Sequence, residues 1–88
     1  MNIGDTVGIQ CTVKPGPFSG ERLISFDTVD GPISGFVKEV DLTEIKTQWY
    51  VRAVIQGIAD DVLTVRVKGS FFTTNGLASV PRRFALAA

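Results

Sequence analysis

The stretch "WYVRAVIQGIADDVLTVRVK", Trp49 to Lys68, decides the fold class. Its first half, Trp49 to Ile58, is the most β-prone segment of the chain, crowded with aromatic and β-branched side chains. Asp60-Asp61 supplies a turn. Beyond it Leu63, Val65 and Val67 alternate with Thr64, Arg66 and Lys68. A period of two places the first set on one face of a strand and the second on the other. Two such strands joined by a short turn form an antiparallel hairpin with one apolar face.

The same pattern extends toward the N-terminus. In "TVGIQCTVK", Val7, Ile9, Cys11 and Val13 share one face, against Thr6, Gly8, Gln10 and Thr12 on the other. "PGPFSG" is a loop by composition. "ERLISFDTV" is the next strand, with Ile24 and Phe26 inward, and Asp30-Gly31 is a tight-turn dipeptide requiring positive φ at Gly31. "PISGFVKEV" returns as a strand in which Gly35 marks a bend or a close backbone approach. "DLTEIKTQ" alone has helical flavour, with Asp41 or Thr43 placed to cap one short turn.

Toward the C-terminus, Gly69 breaks the strand and Asn75-Gly76 makes a turn after "SFFTT". The consecutive Phe71 and Phe72 point to opposite faces if extended, one inward and one outward. Pro81 confines "LASVPRRFALAA" to an edge strand or a short 3-10 turn. Five to six short antiparallel strands with tight turns, and one short 3-10 or helical turn, make an all-β domain over residues 1–88 that curls into a small barrel. An ungapped echo relates "ISGFVKEVDL" (33–42) to "LASVPRRFAL" (77–86). It reads either as two equivalent strand-then-turn corners or as chance similarity of two β segments.

Composition removes several chemistries. The chain has no His and one Cys, so a Ser-His or Cys-His nucleophile, a His/Cys zinc site and an internal disulfide are all excluded. The expected inventory is no metal and no cofactor. Cys11 lies in the alternating apolar pattern and reads as a small buried hydrophobe. Asp60-Asp61 are turn acids, and Thr73-Thr74 lacks a base, so no catalytic residue is assigned and the chain is read as a non-enzyme. "MNIGDTVGIQ" has neither the basic start nor the apolar run of a secretory signal, and no stretch approaches a membrane span. The expected location is the cytoplasm, with no membrane partner.

Net charge is zero but unevenly spread: residues 1–44 carry 3 basic and 7 acidic residues, residues 45–88 carry 6 basic and 2 acidic. This reads as a basic binding face, or as attraction between the two halves or between subunits. Tyr50 and Arg52 share one strand face with Val54, and Arg66 lies on the outer face of the next. With Phe18, Arg22 and Arg82 they form the aromatic and basic set that single-stranded nucleic acid would use. Apolar groups on outward faces, Phe72 among them, point instead to a protein interface, and self-association into a homo-oligomer is the favoured use.

Two resemblances bear on this. Gly4, Asp5 and Val7, followed by Gly16, Pro17, Phe18 and Gly20, resemble the KOW-type motif of ribosomal and NusG-type transcription proteins. That resemblance implies a nucleic-acid-binding barrel whose loop tucks one aromatic. Glu21, Arg22 and Leu23 depart from the pattern where another Gly belongs. "DGPISGFV" and "GSFFTTNGLASVP" look like small bacterial SH3-like barrel proteins of no assigned function. The favoured reading is accordingly a bacterial, non-catalytic, SH3-like protein-interaction module; the alternative is the KOW-like nucleic-acid binder, and an enzyme with its site at an oligomer interface is third. Finally, Phe84-Ala85-Leu86-Ala87-Ala88 resembles the Tyr-Ala-Leu-Ala-Ala end of the tag that bacteria append to stalled chains. The resemblance implies a degradation signal at Leu86, Ala87 and Ala88; the other reading is a packed last strand with Phe84 and Leu86 on one face.

Overall fold

The computed structural model describes residues 1–71 and 75–87. These form an all-β, antiparallel, curled sheet, a half-barrel with two 3-10 turns. The strands are β1 (Thr6–Pro15), β2 (Glu21–Thr28), β3 (Gly31–Lys38), β4 (Leu42–Ile45), β5 (Gln48–Ala59), β6 (Val62–Val67), β7 (Ser70–Phe71), β8 (Leu77–Pro81) and β9 (Ala85–Ala87). The 3-10 turns are Glu39–Asp41 and Arg82–Phe84. The described residues thus hold nine strands where five to six are expected from the sequence. The surplus comes from β4, β7 and β9, all too short to show a period of two by themselves.

The hairpin at 49–68 is as read, with Ala59 opposite Val62 across the Asp60-Asp61 loop. Asp60 takes φ +53° there, a conformation Asp tolerates better than most residues. One feature is absent from the alternation: the ladder shifts between Ile55 and Gly57, a bulge that lets β5 bend. The tight turn after β2 also appears, one residue earlier than read: Thr28 pairs with Gly31, so Val29-Asp30 form the loop and Gly31, at the expected positive φ of +111°, opens β3. Thr28 holds it, donating its hydroxyl to the Gly31 carbonyl (2.6 Å) and accepting from the Asp30 N–H (3.1 Å). The helical reading of 41–48 is displaced: the 3-10 turn lies just ahead, at Glu39–Asp41, and Leu42–Ile45 is a strand paired with β5. Asp41 caps nothing; its carboxylate faces Arg52.

The inward set forms one core. Val7, Ile9, Cys11, Ile24, Phe26 and Val37 meet Val51, Ala53, Ile55, Leu63, Val65, Val67, Ala78 and Val80. Phe71 closes one end, edge-on to Phe26 with ring centroids 6.1 Å apart. It fits because Gly35 has no side chain: a Cβ there would lie 2.4 Å from the Phe71 ring and 2.5 Å from the Ser70 carbonyl oxygen. Gly35 is thus a close approach rather than a bend.

The pairing pattern is two-fold. β1, β2, β3, a 3-10 turn and β4 are followed by β5, β6, β8, a 3-10 turn and β9, with β7 inserted. β1 pairs with β5, β4 pairs with β5 and β9 pairs with β1, so each half lends its last strand to the other's first. Val7, Ile9 and Cys11 are matched by Val51, Ala53 and Ile55, which makes Gly8 and Arg52 equivalents, and these two face each other across the ladder. The sequence echo therefore corresponds to two strand, 3-10, strand corners. Its ungapped alignment is out of phase: Leu42 packs on the core, but Leu86 is 41% exposed and Ala85 takes the inward place. The unequal halves of charge interleave in the same exchange.

Candidate functional site

β9, β1, β5 and β4 lie side by side, and their inward residues belong to the core. The outward residues of these strands are therefore the opposite set: Thr6 and Gly8 on β1, Tyr50 and Arg52 on β5, Thr43 and Ile45 on β4, and Leu86 on β9. A groove of about 360 Å³ runs over this face, lined by these residues with Val7 and Ala87. Its floor exists because position 8 is glycine. A Cβ at Gly8 would come within 3.0 Å of the Tyr50 Cβ and 3.5 Å of its ring, so the Tyr50 side chain lies against bare backbone. Ile45 (42% exposed) and Leu86 (41%) stand on the two sides. Among the described residues Arg52 supplies the one charge in the lining, and the Asp41 carboxylate lies 3.7 Å from its largely exposed guanidinium.

The predicted binding residues separate into groups. Tyr50 and Arg52 share the groove, and Arg66 lies beside them on the same sheet face, opposite Val54 on β5 and Leu77 on β8. Arg22 is elsewhere, on β2, donating to its own Glu21 carbonyl and ion-paired with Glu39 at 2.5 Å. Arg82 sits at the β5–β6 turn, where its backbone N–H donates to the Asp61 carbonyl (2.6 Å) and its side chain reaches the Asp60 carbonyl (3.5 Å). Phe18 is not tucked: it is 69% exposed at the tip of the β1–β2 loop. The loop closes on backbone, through Glu21 N–H to Phe18 C=O, so it needs no buried ring. Phe72 lies outside the described residues. Of the seven expected binding residues, Tyr50, Arg52 and Arg66 share one sheet face, Arg22 and Arg82 lie at two separate sites where each already holds acidic or carbonyl partners, Phe18 stands exposed on its loop, and Phe72 is not among the described residues.

The C-terminal residues are in a strand. Ala85, Leu86 and Ala87 pair with Ile9, Gly8 and Val7, and Ala88 lies outside the described residues. Phe84 and Leu86 do not share a strand face, because Phe84 ends the second 3-10 turn, where the Arg83 guanidinium lies 4.7 Å from its ring centroid. Thr43 and Ile45 are groove residues that the sequence reading misses, and Leu86, read there as part of a degradation signal or of a packed last strand, is a third whose place in the groove it does not give. Their strands are too short for periodicity, and their outward side is defined only by the ladders to β5 and β1.

Cys11 borders a smaller cavity of about 180 Å³ but is itself 4% exposed. Burial pushes its thiol up to about 12, so it stays protonated at neutral pH and is a poor nucleophile. Among the described residues no group of three His, Cys, Asp or Glu side chains is placed to hold a metal ion, and no helix is long and apolar enough to cross a membrane. Comparison with known proteins finds no family model, no curated relative and no solved structure that matches the chain.

Proposed function

We propose that this chain is a bacterial, cytoplasmic, non-catalytic interaction module with an SH3-like barrel, and that it associates with a second copy through the groove over Gly8. One observation carries the reading: knob and hole occur on the same face. Ile45 and Leu86 project beside a groove floored by the Gly8 backbone and the Tyr50 side chain laid against it. A two-fold contact needs such a self-complementary patch. Tyrosine and arginine are also residue types enriched at interfaces relative to ordinary surface. Arg52, held only loosely by Asp41, is free to meet an acidic group of the other copy.

Sedimentation of the wild type and of Leu86→Lys over a range of concentrations tests this. A concentration-dependent mass in the wild type that the Leu86→Lys variant loses supports the groove. A wild type that stays monomeric, or a variant that associates equally well, overturns it.

A second reading has its own observation: Tyr50, Arg52 and Arg66 share one sheet face, as a KOW-like nucleic-acid surface requires. Single-stranded RNA binding that falls steeply with salt and is weakened by Arg66→Glu supports it. Absence of binding at low salt removes it.

A further inference from the structure

We infer that the Lys46-Thr47 turn is a strained hinge through which two copies exchange halves, forming a swapped dimer. This goes beyond the groove reading and does not depend on it.

Ile45 and Gln48 face each other as the last ladder pair of β4 and β5, so a two-residue loop joins the strands. Both loop residues have positive φ, +50° at Lys46 and +69° at Thr47. Hairpin loops of this length demand that conformation and favour Asn-Gly, which adopts it readily. Lysine does so poorly. A β-branched threonine there is a genuine outlier, because its Cβ substituents crowd the backbone. Thr47 also spends its hydroxyl on the adjacent Lys46 carbonyl, a contact that supports nothing beyond the loop.

The position of this loop gives the strain its consequence. It is the only described connection between the two pseudo-equivalent halves, residues 6–45 and 48–87. Neither half owns a core: Val7, Ile9 and Ile24 on one side pack with Val51, Ile55 and Leu63 on the other. If the turn straightens, β4 runs on into β5 as one strand, and each half must find a complement. A second opened copy supplies it without any new ladder. Leu42–Ile45 of one copy pairs with Gln48–Val51 of the other, and β1 of one pairs with β5 and β9 of the other, in the registers of the monomer. Every inter-half contact is kept and two strained turns are relieved. The excess of acid in residues 1–44 and of base in 45–88 favours the same pairing between copies as within one. Exchange requires the halves to come apart, so it is slow, unlike surface association.

The test refolds the whole chain from denaturant at high concentration and measures mass and subunit exchange between two differently tagged populations. The wild type is expected to yield a dimer that does not exchange tags within hours. Lys46→Asn with Thr47→Gly supplies the residues the turn demands and is expected to lower the dimer fraction roughly tenfold. Thr47→Pro forbids the turn and is expected to be dimeric throughout; if that variant fails to fold, the wild type and Asn-Gly pair decide alone. A slow dimer that persists in Leu86→Lys supports the hinge while removing the groove. A dimer that exchanges within minutes, ignores the turn substitutions and is lost in Leu86→Lys overturns the hinge and leaves the groove standing. A wild type monomeric after refolding overturns it as well.

Discussion

The Tyr50 side chain lies across Gly8, its diagonal neighbour on β1, with only 3.0 Å between the Tyr50 Cβ and the place where a Gly8 side chain would begin. That relationship creates the groove and also makes it easy to close. Gly8 has ordinary strand geometry, so a β-branched residue suits its backbone. Gly8→Val is expected to displace Tyr50 and fill the floor. Self-association should weaken by roughly tenfold or more, while folding stability falls by about 1–2 kcal/mol from local overpacking. Sedimentation and urea unfolding read the two effects separately. A filled groove with undiminished association would show that the contact lies on another face.

Gly35→Ala should cost more, about 2–3 kcal/mol, because the added methyl group meets the Phe71 ring and the Ser70 carbonyl inside contact distance. β7 should detach from β3 and Phe71 should lose its edge contact with Phe26. Denaturant unfolding gives the magnitude. A neutral substitution would mean that the Phe71 ring has room to move aside.

The buried Cys11 thiol makes stability depend on alkaline pH. Its ordinary value is 9.0 and burial raises it to about 12 in the folded chain. Below pH 9 both states hold the proton and nothing is lost. Above it the unfolded chain ionises first and binds fewer protons, so stability declines as pH rises toward 12, by at most about 1.4 kcal/mol per pH unit. Cys11→Val is expected to remove that component. Thiol-specific reagents should label the native protein slowly at neutral pH and the urea-unfolded protein quickly. Rapid native labelling would contradict the burial.

Phe18 should be replaceable. With 69% of its surface exposed and its loop closed by backbone hydrogen bonds, Phe18→Ser is expected to change stability by no more than about 0.5 kcal/mol. A loss above about 2 kcal/mol would place the ring in a packed loop, as the KOW-type resemblance implies.

Legibility followed length. β1, β2, β5 and β6 are long enough for the period of two to be read directly, and their inward residues are those expected: Val7, Ile9, Cys11, Ile24, Phe26, Leu63, Val65 and Val67. Asp60-Asp61 and Asp30-Gly31 announced their turns by residue type. The opposite happened at Lys46-Thr47, where residues that disfavour positive φ nevertheless take it, because β4 must return along β5 within two residues. The candidate site was half visible. Tyr50 and Arg52 belong to a long strand; Ile45 and Leu86 belong to short ones.

By itself, then, the sequence determined an all-β chain, its principal hairpins, the side of each long strand that enters the core, and the exclusion of His-dependent chemistry. Those properties are local: alternation, turn preference and the presence or absence of a side-chain type act within a few residues. The tertiary structure alone decided that β4 and β9 cross to the opposite half, that Gly8 faces Arg52, and that Arg22 and Arg82 lie outside the groove that holds Tyr50. Strand pairing joins residues distant in the chain, and its register depends on the complete core, where one residue of slip would turn every buried side chain to the solvent.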